Sequence, residues 1–292
     1  MDVSIVTVTY RSAACIGECI KSALRQEGMK SEMIVVDNAS PDGTVETLRG
    51  FSAQIKLLEN QENVGFGRAC NQGFAASQGR YVYFLNPDAQ ILQTDGLARL
   101  CAFMAANPQF GMAGTGFLGS NGKCSPPSTT YPGQRTTRND FDRLPGKVAW
   151  VIAASIIVRR EVYSQMGGFD PDFFLYSEDT DFCLRLRKLG HEIGYIPEVE
   201  VGHIGGQSES NQDPYEVWMR RANGIHLFWK KHFSPEDVSR LIRRDQWRAA
   251  YRMSVYRMLS FVQGRHSNVW KKHRRYKGIW TSCRQFSTAN HT

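Results

Sequence analysis

The sequence predicts an α/β fold in which helices flank a mostly parallel central sheet, followed by a basic helical C-terminal extension. Short apolar runs alternate with helical stretches, which is typical of crossover units joining parallel strands. Polar clusters follow the apolar runs, where the strands would end. The net charge of +8 is uneven: residues 218–292 carry 17 Lys and Arg against 3 Asp and Glu, whereas the remainder carries 19 against 25. These counts indicate a mildly acidic body and a basic C-terminal tail.

The elements can be assigned in chain order from their periodicity. Four short apolar runs predict buried strands, at residues 4–10, 33–36, 55–58 and 81–85. Residues 13–27 have helical spacing, and a second helix runs through Val45 and Leu48. Residues 119–146 are rich in Gly, Pro, Ser, Thr and Asn, which predicts a long surface loop. An apolar run resumes at residues 150–158.

Bulk properties narrow the class of protein. A chain of 292 residues accommodates one large domain with an appendage. No apolar run is long enough for a membrane-spanning helix, and the N-terminus lacks the basic region of a signal peptide. Seven scattered cysteines favour a reduced cytosolic protein with structural thiols over a zinc site.

Polar residues end the first two strands at Thr9-Tyr10 and Asp37-Asn38. The carboxyl ends of parallel strands meet at one sheet edge, where α/β proteins bind ligands. A carboxylate at position 37 can accept hydrogen bonds from a pyrimidine N–H or a ribose hydroxyl. The alternative is that Asp37 only folds the turn or caps the next helix.

The segment from Asn63 to Gly73 is rich in glycine. Glycines allow the backbone to approach a ligand closely, and the guanidinium of Arg68 can donate several hydrogen bonds to a diphosphate. The alternative is a glycine-rich helix start without a ligand.

A third polar cluster, Asn86-Pro87-Asp88, follows the strand at residues 81–85. A carboxylate on this stiff turn suits Mg²⁺ or Mn²⁺ that also binds phosphate oxygens. His203, between glycines at positions 202 and 205, can complete the coordination as a neutral imidazole. The alternatives are an ordinary turn and a structural histidine.

Three acids lie within four positions at Glu178, Asp179 and Asp181, beside a run of aromatic residues. Clustered carboxylates repel one another and cost stability, which favours a functional site. Asp179 is the candidate general base for a sugar hydroxyl, and Asp181 the candidate structural member. The alternative is that Ser177, Glu178 and Asp179 cap a helix beginning at Thr180.

Taken in this order, these motifs resemble the family 2 glycosyltransferases of the GT-A fold, which has a Rossmann-like central sheet. The likeness covers roughly residues 1–210 and is greatest to bacterial rhamnosyltransferase-like members that build cell-surface polysaccharide such as lipopolysaccharide. The resemblance implies a catalytic domain at residues 1–215, with a nucleotide-sugar half at about 1–118 and an acceptor half at about 147–215. Residues 216–292 form the extension.

The resemblance also implies roles for individual residues. The nucleoside pocket would be formed by Thr9, Tyr10, Asp37 and Asn38. The donor diphosphate and sugar would contact Asn63, Gly65, Arg68, Asn71 and Asn86. Asp88 and His203 would bind the metal, and Asp179 would be the base. Two positions depart from the family pattern. Asn86 replaces the first acid of the metal motif, leaving Asp88 as its only carboxylate, and Ala153-Ala154 replaces a usual Gly-Ala on the acceptor side.

The function implied is inverting transfer of a sugar to an acceptor hydroxyl, with Mg²⁺ or Mn²⁺ as cofactor. The donor expected first is dTDP-rhamnose, then a UDP-hexose or UDP-galactofuranose. The acceptor is expected to be a saccharide or a polyprenyl-diphosphate-linked saccharide. Because Asn86 weakens the metal motif, a non-catalytic homologue acting as a scaffold is the alternative.

The basic tail predicts a second kind of partner. In residues 251–262, apolar side chains cover most of a helix surface, and Arg252, Arg257 and Ser260 occupy a narrower face. This pattern is typical of a helix lying on anionic lipid, and it predicts a cytoplasmic protein bound peripherally to the inner face of the membrane. The alternative is a helical cap on the catalytic domain. Nucleic-acid binding is not expected, because the body is acidic and no binding module is present.

Overall fold

The computed structural model describes residues 1–118, 124–137, 139–203, 212–263 and 268–288. The chain forms two compact units. The first, called here the sheet unit, contains residues 1–131, 143–174 and 178–208. The second, called the helical unit, contains residues 132–142, 175–177 and 209–292.

The strands of the described chain belong to one mixed sheet. They are β1 (Val3–Thr9), β2 (Ser31–Asp37), β3 (Lys56–Glu59), β4 (Tyr81–Leu85), β5 (Ala89–Ile91), β6 (Phe110–Leu118), β7 (Cys124–Ser125), β8 (Ser155–Arg159) and β9 (Glu192–His203). Their order is β3-β2-β1-β4-β8-β6-β9-β5, and β7 pairs with the end of β6. The first four strands of this order are mutually parallel. Because β8 is antiparallel to both β4 and β6, β6 runs in the direction of β4. The carboxyl ends of β1, β2, β4 and β6 therefore share one edge.

Six helices accompany these strands in the sheet unit: α1 (Ile16–Leu24), α2 (Thr44–Arg49), α3 (Phe66–Ala75), α4 (Gly96–Ala106), α5 (Arg160–Gln165) and α6 (Glu178–Lys188). Every residue of β1 and of β4 is buried. Alternate residues serve opposite faces: Ile5 and Tyr83 pack in one core, and Val6 and Phe84 in the other. A parallel strand covered on both faces is apolar throughout, which explains the continuous runs in the sequence.

The described part of the predicted loop at residues 119–146 is mostly irregular, as predicted, although the side chains of Tyr131, Gln134 and Phe141 are buried. Residues 119–123 and 138 lie outside the described residues. The rest contains β7, two 3₁₀ turns at Gln134–Thr136 and Phe141–Arg143, and a bridge between Ser128 and Trp150. The buried guanidinium of Arg187 donates to the carbonyls of residues 144–146. A side chain distant in sequence thus anchors a segment whose composition is typical of a loop.

The helical unit contains α7 (Pro214–His232), α8 (Pro235–Gln263) and α9 (Asn268–Thr288). The carboxylate of Asp213 accepts a hydrogen bond from the amide of Tyr215 and caps α7. The buried ring of His226 contacts Ser282 Oγ at 2.8 Å, which ties α7 to α9. Among the described helices, none combines the length and the apolar character that crossing a bilayer requires.

Candidate active site

The predicted nucleoside residues lie together at the carboxyl ends of β1 and β2. Thr9 and Asp37 are paired across the two strands, and Thr9 Oγ1 donates to Asp37 Oδ1 at 2.8 Å. Ser40 donates to the same carboxylate twice, from Oγ at 2.6 Å and from its amide at 2.9 Å. Ala39 has φ +57°, which closes the turn between these residues. The turn-forming alternative for Asp37 is thus observed, and its predicted contact with a nucleoside stays a prediction.

Asn38 connects this turn to the glycine-rich segment. Its amide nitrogen Nδ2 donates to the carbonyl of Gly65 at 3.2 Å, and its Oδ1 accepts from Asn60 Nδ2 at 2.8 Å. Tyr10, the next predicted residue, is half-buried, and the Arg11 guanidinium lies 5.4 Å from the centre of its ring. Asn60 was not predicted from the sequence, because nothing in its local sequence pattern identifies its contacts.

Gly65 occupies a position that only glycine fits. Its φ is +91°, and a Cβ there would lie 2.6 Å from the carbonyl oxygen of Phe174. The amide of Gly65 donates to Asn63 Oδ1 at 3.0 Å, and the amide of Phe66 donates to the same Phe174 oxygen at 2.9 Å. The start of α3 is therefore clamped against the segment that leads to α6.

Asn71 and Arg68, predicted to line the donor, both contact the protein itself. Asn71 Oδ1 accepts from Tyr163 Oη at 2.6 Å and from the amide of Phe169 at 2.9 Å, while its Nδ2 donates to the carbonyl of Phe169 at 2.8 Å. These contacts give Asn71 a structural role. Arg68 is exposed and donates from Nε to the carbonyl of Pro171 at 3.0 Å. Donor contacts by either residue stay predictions.

The predicted metal turn follows β4 directly. The amide of Asn86 donates to the carbonyl of Ala154 at 2.9 Å, and the amide of Ala89 donates back to Asn86 at 3.1 Å. Asp88 is half-buried. Burial and then the negative charges of Asp88 and Asp42 raise the pKa of the Cys15 thiol to about 11. Asp88 therefore lies close to the residue that precedes α1.

His203, the second predicted metal ligand, ends β9, and its backbone pairs with Ala89 of β5. The side chain of His203 lies outside what the structure describes. Within the described residues, no three His, Cys, Asp or Glu side chains group as metal ligands. The oxygen donor at Asp88 suits a hard divalent cation, which would take its remaining ligands from a diphosphate and water. The backbone pairing with Ala89 places position 203 next to the turn at residues 86–88.

The acidic cluster begins α6, two residues earlier than predicted. Asp179 Oδ1 accepts from the amide of Thr180 at 2.7 Å and from its hydroxyl at 3.2 Å. Burial nevertheless raises the pKa of the Asp179 carboxyl. Asp181 is buried and contacts Arg185 Nε at 2.7 Å, as the structural role assigned to it requires.

Glu178 is the cluster member whose importance the sequence did not reveal. Its side chain is 7% exposed, and Oε2 has no hydrogen-bond partner among the described residues. Burial, and then the charges of Asp179 and Asp181, raise the pKa of Glu178 to about 8. A neutral glutamic acid therefore precedes Asp179 at neutral pH.

Residues Ala153 and Ala154 join the acidic cluster to the metal turn. The backbone of Ala153 lies near the Asp179 carboxyl and partly offsets the rise in its pKa, and the carbonyl of Ala154 accepts from the amide of Asn86. The next residue, Ser155, pairs with Leu85 in the sheet. Asp179 and the Asn86 turn thus lie on either side of one buried dipeptide, although more than ninety positions separate them in sequence.

Comparison with known proteins identifies the family. Residues 4–167 match the model of glycosyl transferase family 2. The N-acetylglucosaminyl-diphospho-decaprenol L-rhamnosyltransferase of Mycobacterium tuberculosis is 26% identical over 309 aligned residues, covering 90% of this chain and 98% of the relative. The glycosyltransferase AglE of Haloferax volcanii is 26% identical, covering 74% of each chain.

Solved structures share the fold at low sequence identity. The mannosyltransferase PcManGT from Pyrobaculum calidifontis, in complex with GDP-Man and Mn²⁺, has a TM-score of 0.59 at 18% identity and covers 99% of this chain and 86% of its own. TarS residues 1–349 from S. aureus, in complex with UDP-GlcNAc, has a TM-score of 0.57 at 17% identity and covers 98% and 92%. The predicted GT-A fold, with its helical C-terminal part, is confirmed.

Proposed function

Because the chain belongs to glycosyl transferase family 2, we propose that it is a metal-dependent, inverting glycosyltransferase that moves a sugar from a nucleotide-diphosphate donor to an acceptor hydroxyl. The observation that carries the proposal is the backbone link through Ala153 and Ala154. It holds the candidate base, Asp179, beside the turn that carries Asp88. A single displacement needs a base and a leaving diphosphate on opposite sides of one anomeric carbon.

Asp179 is the base in this proposal. Its raised pKa makes the carboxylate a better proton acceptor than an exposed aspartate, and the two hydrogen bonds from Thr180 hold it in place. It takes the proton of the acceptor hydroxyl as that oxygen attacks the anomeric carbon. The bond to the diphosphate breaks on the opposite face, so the configuration inverts.

The donor would bind at the ends of β1, β2 and β4. Asp37 and Asn38 would receive the nucleoside with Thr9 and Tyr10, and the backbone at Gly65 would approach the diphosphate. Asp88 and His203 would hold Mg²⁺ or Mn²⁺, which neutralises the charge of the departing diphosphate. The Mn²⁺ in the PcManGT complex supports a divalent ion in this fold.

The donor proposed first is dTDP-rhamnose, and the acceptor is a polyprenyl-diphosphate-linked saccharide in cell-surface polysaccharide synthesis. The name of the Mycobacterium tuberculosis relative, whose alignment spans 90% of this chain, supports rhamnose as the sugar and a diphospho-polyprenol-linked saccharide as the acceptor. The UDP-GlcNAc bound by TarS supports a UDP-linked sugar as the alternative donor.

The test is transfer by the purified full-length chain. dTDP-rhamnose, UDP-hexoses and UDP-galactofuranose would each be supplied with Mn²⁺ and N-acetylglucosaminyl-diphospho-polyprenol, and the product's anomeric configuration read by NMR. Transfer that inverts the anomeric centre and stops with EDTA is the expected result. Retention of configuration would refute the mechanism. Thermal stabilisation by nucleotide sugars without transfer or hydrolysis would instead favour the scaffold alternative.

We further propose that α8 places the enzyme on the inner face of an anionic membrane. Four large apolar side chains of this helix are 71–80% exposed: Trp247, Tyr251, Met258 and Phe261. Their spacings of four, seven and three residues put them on one helix face. Large apolar side chains grouped on a surface mark a contact with another apolar phase.

The charge around this face supports lipid as the occupant. Residues 246–292 contain ten Lys and Arg and no Asp or Glu. At 100° per residue, Arg244 and Arg248 flank the apolar face on one side and Arg257 on the other. Two such faces in a dimer would bring like charges together, whereas anionic headgroups attract them.

Vesicle flotation tests this proposal. Wild-type protein should float with vesicles containing phosphatidylglycerol and not with pure phosphatidylcholine vesicles. The variant Trp247→Ser with Phe261→Ser should lose most of the floating fraction, whereas Leu189→Ser, at a residue 46% exposed in the sheet unit, should not. Equal flotation of both variants would refute the assignment of α8. A mobility shift with nucleic acid in place of flotation would support the nucleic-acid alternative.

A further inference from the structure

The helical unit contains a small polar cavity between α8 and α9 that the proposed sugar transfer does not use. Its volume is about 110 Å³. A water molecule occupies about 30 Å³ in the liquid, so this space suits a compact group of a few heavy atoms. Three residues from each helix line the cavity: Asp245, Arg248 and Ala249 on α8, and Arg275, Tyr276 and Ile279 on α9.

Positive charge predominates in this lining. Arg248 and Arg275 contribute two guanidinium groups, and Asp245 contributes one carboxylate. That carboxylate has other neighbours: Oδ1 lies 3.9 Å from Arg244 Nε, and Oδ2 lies 4.0 Å from His226 Nε2. Within the part of the chain that the structure describes, neither Arg248 nor Arg275 forms an ion pair with an acidic side chain. The cavity therefore offers two positive charges to an anion.

Aromatic rings hold the guanidinium of Arg275 in a fixed orientation. It lies 3.5 Å from the centre of the Trp218 ring and 5.5 Å from that of Tyr276, and the Tyr276 ring stacks on Tyr256 at 5.7 Å. Such stacking covers the faces of a guanidinium and leaves the N–H groups at its edge. Arg275 Nε is buried and has no hydrogen-bond partner among the described residues. A buried donor in this state indicates an acceptor that the described protein groups do not supply.

A phosphate group matches the donors of the cavity in charge and in shape. A phosphate monoester carries about −1.5 to −2 charges at neutral pH and has three strong acceptor oxygens. Two guanidinium groups would neutralise that charge, and the fork of N–H groups on arginine can donate two parallel hydrogen bonds to one phosphate. The small volume admits one such group and excludes a larger ligand.

The position of the cavity on α8 favours a soluble ligand over a lipid headgroup. At 100° per residue, Arg248 lies about 100° around the helix from Trp247, and Asp245 and Ala249 each lie about 160° from it. A headgroup below the apolar face can reach Arg248 at its flank. Asp245 and Ala249 are on the opposite side of the helix, where α9 completes the cavity.

We propose that this cavity binds the phosphate group of a small soluble phosphorylated compound, which Arg248 of α8 and Arg275 of α9 hold between them. Binding is independent of the proposed sugar transfer, because every lining residue belongs to the helical unit. A phosphate held by both helices stabilises their pairing. Since the unfolded chain lacks this site, phosphate should raise the thermal stability of the protein.

Calorimetric titration of the full-length chain with inorganic phosphate tests the site, at an ionic strength held constant with NaCl. Wild type should bind phosphate saturably and show a higher Tm with it. Arg248→Gln should weaken this binding at least about tenfold, because it removes charged hydrogen-bond donors from the cavity. The matched control is Arg243→Gln, at an exposed arginine of the same helix outside the lining, and it should retain wild-type affinity.

Arg275→Lys distinguishes a phosphate site from general attraction of anions, because it keeps the charge and loses the fork of donors. It should also weaken phosphate binding about tenfold, while its flotation with phosphatidylglycerol vesicles stays at the wild-type level. Circular dichroism and the Tm without phosphate check that each variant is folded; Arg248→Gln, at an exposed side chain, carries the lower risk.

Two results would overturn the proposal. Wild type without saturable phosphate binding, or equal affinity in Arg248→Gln, Arg275→Lys and Arg243→Gln, would show that the cavity is not a phosphate site. Loss of vesicle flotation in Arg275→Lys, with no binding of inorganic phosphate by wild type, would assign the cavity to a lipid headgroup instead of a soluble compound. Neither result bears on sugar transfer, which is measured separately.

Discussion

Two carboxyl groups in the sheet unit have opposite surroundings. Asp37 is 1% exposed, and its two oxygens accept three hydrogen bonds from Thr9 and Ser40. Glu178 is 7% exposed, and its Oε2 has no partner among the described residues. Both lie at ends of regular elements, at β2 for Asp37 and at α6 for Glu178.

The contrast shows two ways in which a protein uses a buried acid. The donors around Asp37 hold its carboxyl group in one geometry, which suits a residue that positions a ligand. Beside Asp179, burial and then the charges of Asp179 and Asp181 stabilise the protonated form of Glu178 and raise its pKa, whereas burial alone raises the pKa of Asp179. Raised pKa values are suited to proton transfer. The following predictions test this division from the largest effect to the smallest.

Asp179→Asn should lower turnover at least about 10²-fold, because the amide keeps the hydrogen-bonding shape of the carboxylate and cannot accept the proton. Thermal shift with UDP and Mn²⁺ should be unchanged, since the nucleoside residues are intact. Steady-state kinetics with the best donor in the panel would measure the loss. Wild-type turnover in a correctly folded Asp179→Asn protein would remove Asp179 from the mechanism.

Asp37→Ala should destabilise the fold by about 1–3 kcal/mol, because it leaves the buried hydroxyl of Thr9 and the donors of Ser40 without their acceptor. Urea unfolding at neutral pH would measure it. The same variant should weaken UDP binding in thermal shift, whereas Asp179→Asn should not. A stable Asp37→Ala protein with wild-type UDP binding would contradict both parts of the assignment.

Glu178→Gln should flatten the dependence of stability on pH. The unfolded chain releases this proton near a pKa of about 4.3, whereas the folded protein holds it until about pH 8. The folded state therefore binds more protons in this window, and wild-type stability falls as pH rises, by up to about 1.4 kcal/mol per pH unit.

Unfolding free energies measured at several pH values in that window would show the slope for wild type and a shallower one for Glu178→Gln. Glu161→Gln, at an exposed glutamate of α5, is the matched control and should keep the wild-type slope. Identical slopes in wild type and Glu178→Gln would mean that Glu178 is ionised in the folded protein.

Thr9→Val should have the smallest effect, a loss of about 1 kcal/mol, because it removes one of the three hydrogen bonds to Asp37 and keeps the shape of the side chain. Urea unfolding of Thr9→Val and Asp37→Ala, measured under the same conditions, would compare the two losses in unfolding free energy. A loss as large as that of Asp37→Ala would show that Thr9, and not the carboxylate, holds the turn together.

Sequence patterns predicted the parallel half of the sheet well. The apolar runs at 4–10, 33–36 and 81–85 became β1, β2 and β4, because strands buried on both faces require unbroken apolar segments. The polar residues after them were correctly placed at the strand ends. Composition indicated the irregular backbone of residues 124–146 and not what anchors it, because the guanidinium of Arg187, some forty positions away, donates hydrogen bonds to the carbonyls of residues 144–146.

The roles of individual residues were likewise predicted only in part from the sequence. The sequence identified Asn71 as a candidate donor ligand, whereas in the structure its side-chain amide forms hydrogen bonds with Tyr163 and Phe169. It identified Asp179 from a cluster of acids and could not show that Glu178 Oε2 has no hydrogen-bond partner within the described part of the chain. Hydrogen-bond satisfaction depends on neighbours brought from distant segments, which periodicity does not encode.

By itself the sequence determined the family, the strands of the parallel half and the separation of an acidic body from a basic tail. These are properties of local pattern and composition, which each segment carries wherever it folds. Tertiary structure alone decided that Ala153 and Ala154 lie between Asp179 and the Asn86 turn. Such contacts form only when distant segments pack at one edge of a sheet, and burial there sets the pKa of each acid.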